Sequence, residues 1–192
     1  MGDPYRSLGK TLVYQNPWIE VCEHQISRGG QPGVYGVVER EDSVIVVPFT
    51  PGSRTLLLRQ YRFPTDQYSW ELPMGGVTPG ESEIEAAKRE LAEETGLLTD
   101  SFEVIGEYHA VPGLTPQRVT AFVAQMEDTH LEEAQAQAAD EITTMRVRTM
   151  SQLNQMVRMG EITDGFTIAA TCFLNLHITK QDGGQLREQS GD

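Results

Sequence analysis

The chain has 192 residues, 39% hydrophobic and 22% charged, a composition that allows one domain of ordinary size with a real interior. Its formal net charge of −13 excludes a protein that grips nucleic acid through a basic surface, and means that an anionic ligand needs local cations. No apolar run approaches the ~18 residues of a membrane span, MGDPYRSLGK lacks the apolar core of a secretory signal, and Cys22 and Cys172 have no partner at zinc-site spacing, so a cytoplasmic protein with reduced thiols is expected.

Residues 1–9 read as a loose or partner-dependent N-terminus. Thr11–Gln15 and Trp18–Ile26 have the composition of strands, broken at Asn16-Pro17. A turn cluster follows at Gly29-Gly30-Gln31-Pro32-Gly33. Val34–Glu39, Ser43–Phe49 and Thr55–Arg62 are strand-like, being rich in β-branched and aromatic residues. Ser69–Pro73 is a further short strand that leads into the glycines at Gly75 and Gly76. Ser82 with Glu85 forms a capping box, so a helix starts there, and Gly96 ends it. Ile84, Ala87 and Leu91 are its expected buried stripe. Phe102–Ala110 and Arg118–Met126 read as strands, and His130–Ala139 as a mobile loop or short helix. Ile142–Val147 is a strand, and Ser151–Met159 and Asp164–Leu176 are helices. The residues from Gln181 onward have the composition of a disordered tail. Strands first, then interspersed helices, indicate an α+β fold, an α/β/α sandwich with mixed sheets.

The chemistry concentrates between Gly75 and Leu97. At about 100° per residue, Glu90, Glu93 and Glu94 fall within roughly a third of the helix circumference. Like charges at this spacing repel. Against Lys88 and Arg89 stand Glu81, Glu83, Glu85, Glu90, Glu93 and Glu94, so pairing within the helix cannot neutralise them. A solvated face laced with salt bridges is the plain alternative. A cation held by the carboxylates explains the cluster better, and oxygen donors of this kind suit Mg²⁺ or Mn²⁺. Such ions act with substrate phosphates, where they spread developing charge.

Gly75, Glu81, Arg89, Glu90, Leu91, Glu93, Glu94, Gly96 and Leu97 match G-x5-E-x7-R-E-U-x-E-E-x-G-U at every defined position, with U a bulky aliphatic residue. This stretch resembles the Nudix box. The resemblance implies a metal-dependent hydrolase of nucleoside diphosphates linked to another moiety, on an α/β/α sandwich. It implies metal contacts at Glu90, Glu93, Glu94 and the carbonyl of Met74. Arg89 would orient a carboxylate, and Glu81 would pair with Arg89 or join the outer metal shell. In relatives that hydrolyse ADP-ribose the general base comes from a later loop, which points to Glu141, with Asp140, Glu132 and Glu133 as competitors.

Leu58–Pro64, Ser69–Pro73 and Pro112 look like segments of the ADP-ribose and nucleotide-sugar pyrophosphatase branch. Arg62 is expected to pair with a phosphate or the terminal sugar region, and Glu71 to accept sugar hydroxyl hydrogens. Trp18 could stack on a base, although a buried strand tryptophan is the plainer expectation, and Trp70 reads as a core aromatic. Within this family the early strands often form a small sheet exchanged across a homodimer. The division expected is 1–40 as that strand region, 41–180 as the hydrolase domain and 181–192 as the tail. The reading is a pyrophosphatase for ADP-ribose or related nucleotide sugars, with nucleoside triphosphates, dinucleoside polyphosphates or capped RNA as the alternative substrates, and a non-catalytic sensor as the alternative class.

Overall fold

Ser43–Phe49, SVIVVPF, is an apolar run too short for a helix, and it forms strand β4, buried almost throughout. A strand hidden on both faces needs cover on both sides of its sheet. That requirement organises the larger of two compact units, which takes in residues 43–108 and 119–192. The computed structural model describes residues 4–135 and 142–188, with side chains as far as Lys180.

This unit continues through β5 (Arg54–Arg62), β6 (Gln67–Glu71), β7 (Met74–Gly76), α1 (Glu83–Thr95), β8 (Phe102–Tyr108), β9 (Val119–Gln125), α2 (Asp128–Glu132), β10 (Ile142–Thr149), α3 (Met150–Met159) and α4 (Gly165–Glu188). The sheet runs β10-β5-β4-β9-β8. Among the described residues of this sheet, β4 and β9 pair in parallel and the other pairings are antiparallel. Helices α1 and α4 both pack on β4. Val44 and Val46 join Ala86, Ala87 and Leu91 in one apolar cluster, while Ile45 and Val47 alternate to the opposite face. The result is an α/β/α sandwich with a mixed sheet. Truncating Leu91 to Ala would cost about 2–5 kcal/mol, because the cluster closes only in part around the hole.

β4 and β5 touch at Phe49 and Thr55 and then diverge. The segment Gln67–Gly76 fills the gap, with β6 on β5 and β7 on β4. Helix α1 starts at the expected capping box, where the Ser82 amide donates to Glu85 Oε2 at 2.8 Å. Its buried residues are Ala86, Ala87, Leu91 and Thr95. Ile84, expected in that stripe, is 42% exposed, because the face that meets the sheet starts one turn later. Helix α4 continues past Leu176 and past Gln181 to Glu188. Each added residue of an existing helix gains a hydrogen bond without a new nucleus.

The smaller unit takes in residues 1–42 and 109–118. Its sheet is antiparallel, β1 (Tyr5–Gln15), β2 (Glu20–Arg28) and β3 (Gln31–Glu39), in that order. Arg28 pairs with Gln31 across Gly29 and Gly30, whose φ angles of 58° and 84° make the two-residue turn that matches strand twist. Strand β1 begins at Tyr5, inside the stretch expected to be loose. Tyr5, Arg6 and Ser7 pair with Arg28, Ser27 and Ile26, and an irregularity between Ser7 and Gly9 hides the alternation. The loop 109–118 joins this unit through Val38 N–H to Leu114 O at 2.9 Å and Tyr35 Oη to Gly113 O at 2.9 Å. Every position of β1 is exposed. Cys22 is buried and Cys172 exposed, and both are free thiols.

Candidate active site

Arg89 organises the acidic face of α1. Its Nε and Nη2 donate to the two oxygens of Glu81, each at 2.9 Å. Nη1 donates to Glu90 Oε1 at 2.6 Å and to Glu93 Oε2 at 3.2 Å, and Nη2 also reaches the Gly76 carbonyl at 2.8 Å. A planar fork of donors makes this multiple grip possible. It holds the Glu81 carboxyl down at about 2, the Arg89 hydrogen bonds being the largest cause. The Arg89 guanidinium is pushed up, first by Glu81.

Glu94 lies on the inner side of the same helix. Its Oε2 accepts from the Met74 amide at 3.1 Å and its Oε1 from Gln60 Nε2 at 3.2 Å. Burial is the main reason its carboxyl rises to about 8, with the Glu90 charge adding to the shift. Glu90 is also raised, again by burial first. The close approach of Glu90 to β7 depends on a missing side chain: a Cβ at Gly75 would overlap the Glu90 carboxylate. The glycine that opens the motif therefore makes room for one of its acids.

Arg62 ends β5, and its guanidinium embraces Glu71 of β6, with Nε at 2.9 and 3.1 Å from the two oxygens and Nη2 also donating to Oε2. Glu71 is 1% exposed, so both its oxygens are spent on Arg62 inside the protein. Arg62 is raised by Glu71 first, with Asp164 and Glu94 contributing. One unit thus brings together Arg62, Glu71, Met74, Glu81, Arg89, Glu90, Glu93 and Glu94.

Among the described residues, no three acidic, histidine or cysteine side chains are gathered tightly enough to hold a metal ion. Arg89 draws Glu90 and Glu93 to itself, while Glu94 turns to Met74 and Gln60. The donor set still suits a hard dication. It consists of the carboxylates of Glu90, Glu93 and Glu94 on one helix, and the partly buried Glu90 and Glu94 are raised by burial first, the state of acids that a bound dication would compensate.

The remaining expected site residues lie elsewhere. Trp18 and Pro112 are exposed and belong to the smaller unit. Trp18 is 78% exposed rather than buried, because it sits in a turn: Asn16 Oδ1 accepts from the Trp18 and Ile19 amides, each at 2.9 Å. Trp70 is half-buried, with the Arg146 guanidinium 4.8 Å from its ring centre. Glu132 pairs with Arg54. Glu141 and Asp140 lie outside the described residues. Gln60 was not anticipated, although strand alternation places it on the face of Arg62, two residues on.

The NUDIX domain family model matches residues 39–166. The chain belongs to the Nudix family. ADP-ribose pyrophosphatase of Bacillus subtilis (strain 168) is 25% identical to this Nudix chain over 172 residues, covering 89% of this chain and 92% of that protein. ADP-ribose pyrophosphatase of Escherichia coli (strain K12) is 30% identical over 149 residues, covering 73% and 71%. A crystal structure of an ADP compounds hydrolase superposes with a TM-score of 0.78 at 19% identity, covering 93% of this chain and 96% of that one, and shares the fold.

Proposed function

We propose that this Nudix pyrophosphohydrolase cleaves the diphosphate of ADP-ribose or a related nucleotide sugar, giving a nucleoside monophosphate and a sugar phosphate. The observation that carries the reading is the Arg62–Glu71 pair beside Glu94. Glu71 is enclosed and holds Arg62 by its guanidinium, so a strong cation stands next to the acidic face. A diphosphate needs this arrangement in a chain of net charge −13, since it must meet cations before it meets the bulk surface field. Similarity to ADP-ribose pyrophosphatases over 89% and 73% of this chain supports the substrate class.

The residues that would hold Mg²⁺ or Mn²⁺ are Glu90, Glu93, Glu94 and the Met74 carbonyl. A dication bound there would neutralise diphosphate charge and polarise the scissile linkage. Arg62 orients the phosphates, and Glu71 holds Arg62 rather than accepting from the sugar. Arg89 keeps Glu90 and Glu93 in place, with Glu81 holding Arg89 in turn. The attacking water needs a carboxylate to take its proton. Glu141 carries that role in our reading, with Glu93, the most exposed acid of the face, as the substitute.

We also infer a homodimer. A three-stranded sheet whose first strand is exposed at every position is marginal alone, and Leu8, Leu12, Val13, Tyr14 and Val34 offer apolar surface for a second copy. Trp18 is our candidate for the ring on which the base stacks, and Pro112 for a substrate contact.

The test is a panel of ADP-ribose, GDP-mannose, deoxynucleoside triphosphates, dinucleoside polyphosphates and capped RNA with Mg²⁺ or Mn²⁺, with products separated by chromatography. AMP and ribose 5-phosphate from ADP-ribose are expected. Turnover of the triphosphates with ADP-ribose and GDP-mannose inert would overturn the substrate assignment.

A further inference from the structure

The link between β6 and β7 carries two of the groups the site depends on, the Glu71 carboxylate before it and the Met74 carbonyl after it. Here three consecutive residues are held by three different elements. The Leu72 amide donates to Thr167 Oγ1 of α4 at 3.0 Å. The Pro73 carbonyl accepts from the Val46 amide of β4 at 2.8 Å. The Met74 amide donates to Glu94 Oε2 of α1 at 3.1 Å. Leu72 and Thr167 are each 0% exposed, so no water substitutes for the hydroxyl if it is lost.

Thr167 is itself locked. Its amide donates to Asp164 Oδ2 at 2.7 Å, which caps the start of α4. Its carbonyl accepts from Thr171 Oγ1 at 2.7 Å one turn later. The hydroxyl therefore has little freedom to follow the link if the link moves. Val46 and Glu94 restrain Pro73 and Met74, and the Leu72 amide is bonded to Thr167 instead. Without the α4 oxygen, Leu72 would keep a buried amide with no partner, and the link would shift to find one. That shift falls on the peptide next to Glu71 and two residues before the Met74 carbonyl.

We propose that Thr167 is a positioning residue for the metal and phosphate site, acting from the start of α4 by fixing Leu72 and, through it, the Met74 carbonyl and the Glu71–Arg62 pair. This rests on the reading that Met74 and Glu94 hold the dication. The role is assigned to the oxygen and not to the methyl group. Asp164 supports it indirectly, by holding the Thr167 backbone.

The test compares Thr167→Val, Thr167→Ser and Thr179→Val in the full chain. Valine keeps the shape of threonine and removes the oxygen. Serine keeps the oxygen and removes the methyl. Thr179→Val removes a hydroxyl from the same helix that bonds to the Asn175 carbonyl, away from Thr167. Mn²⁺ affinity is read by calorimetry, kcat and KM with ADP-ribose, and folding by circular dichroism and thermal melting. Thr167→Val is expected to weaken Mn²⁺ binding and lower kcat by about tenfold each, the lower end for residues that support metal ligands. Thr167→Ser should restore both, and Thr179→Val should leave both unchanged. Mn²⁺ affinity in Thr167→Val equal to the parent overturns the proposal, as does equal loss in Thr167→Ser or in Thr179→Val. Should Thr167→Val fail to fold, Thr167→Ala, which also lacks the oxygen, is read by the same criteria. A parent chain that takes up no Mn²⁺ would instead overturn the underlying metal reading, so the two failures are distinct.

Discussion

The acidic face of α1 and the sheet β1–β3 are built on opposite principles. On α1 the acids are held in a network of bonds: Arg89 bonds to Glu81, Glu90, Glu93 and Gly76, and Glu94 is held by Met74 and Gln60. The sheet β1–β3 has the reverse character. Its first strand is exposed at every position, and Leu8, Leu12, Val13 and Tyr14 face solvent. The helix face carries excess negative charge that a cation would satisfy, and the sheet carries excess apolar surface that another chain would satisfy. Each region thus leaves one property unspent, negative charge on the helix and apolar surface on the sheet.

The sharpest way to break this contrast is to remove charge without removing shape. Glu94→Gln keeps a hydrogen-bonding side chain beside Met74 and Gln60 but ends the demand for a cation. It is expected to lower kcat by about a thousandfold or more, the scale of losing a group that stabilises transition-state charge. Glu93→Gln should act in the same direction with folding intact. Steady-state assays with Mg²⁺ check both, and turnover near the parent rate in either would remove the assignment. Arg89→Lys comes next. Lysine keeps the charge but cannot hold Glu81, Glu90 and Glu93 at once, and a fall in kcat/KM of about 50-fold is expected, within the range for residues that orient metal ligands.

What could be read from the chain follows the same divide. The capping box at Ser82 and Glu85, the limits of α1 and the acidic triad are local patterns, and the structure has them where the spacing placed them. The limits of β4 were equally legible, because a continuous β-branched run leaves little choice. Ile84 was misplaced because helical periodicity gives a stripe but not the turn at which the helix first meets its sheet. Trp18 was misplaced because an Asn-Pro turn directs it outward, overriding the general preference of tryptophan for cover. Thr167 could not be found at all. Its partner is 95 positions away, and no periodicity links a hydroxyl on a late helix to one amide between two short strands.

The apolar side of the contrast breaks with one charge. Leu12→Asp puts a carboxylate into the exposed face of β1, where a partner would have to desolvate it. If two copies meet there, light scattering should show the mass falling from twice the chain to one chain at micromolar concentration. A parent chain already monomeric at high concentration would sink the dimer. Trp18→Ala then separates stacking from folding. At 78% exposure the ring contributes little to stability, so the melting temperature should hold while KM for ADP-ribose rises about tenfold, the value of ~1–3 kcal/mol for base stacking on an aromatic. An unchanged KM would leave the base to other residues.

The smallest effect tests the charge demand of the helix face without substrate. Glu81 and Glu94 shift in opposite directions from the ordinary value of 4.5, to about 2 and about 8. Glu81 is lowered by Arg89, so its contribution is present above pH 4.5 and is lost as pH falls through about 2. Glu94 is raised by burial, so the folded state keeps a proton that the unfolded chain gives up. Its contribution is present below pH 4.5 and is lost as pH rises through about 8. With EDTA present, the melting temperature should therefore decline between these two values, by about 5 °C for a chain of this size. Mn²⁺ should reverse the decline, since a dication binds the ionised carboxylate and not the protonated one. Glu94→Gln has no proton to lose, and its melting temperature in EDTA should stay level over the same interval and exceed that of the parent at its alkaline end. A parent curve that is flat or rising there would mean that Glu94 is already compensated by Arg62, Gln60 and the Met74 amide, and the helix face would then have no unmet charge to explain.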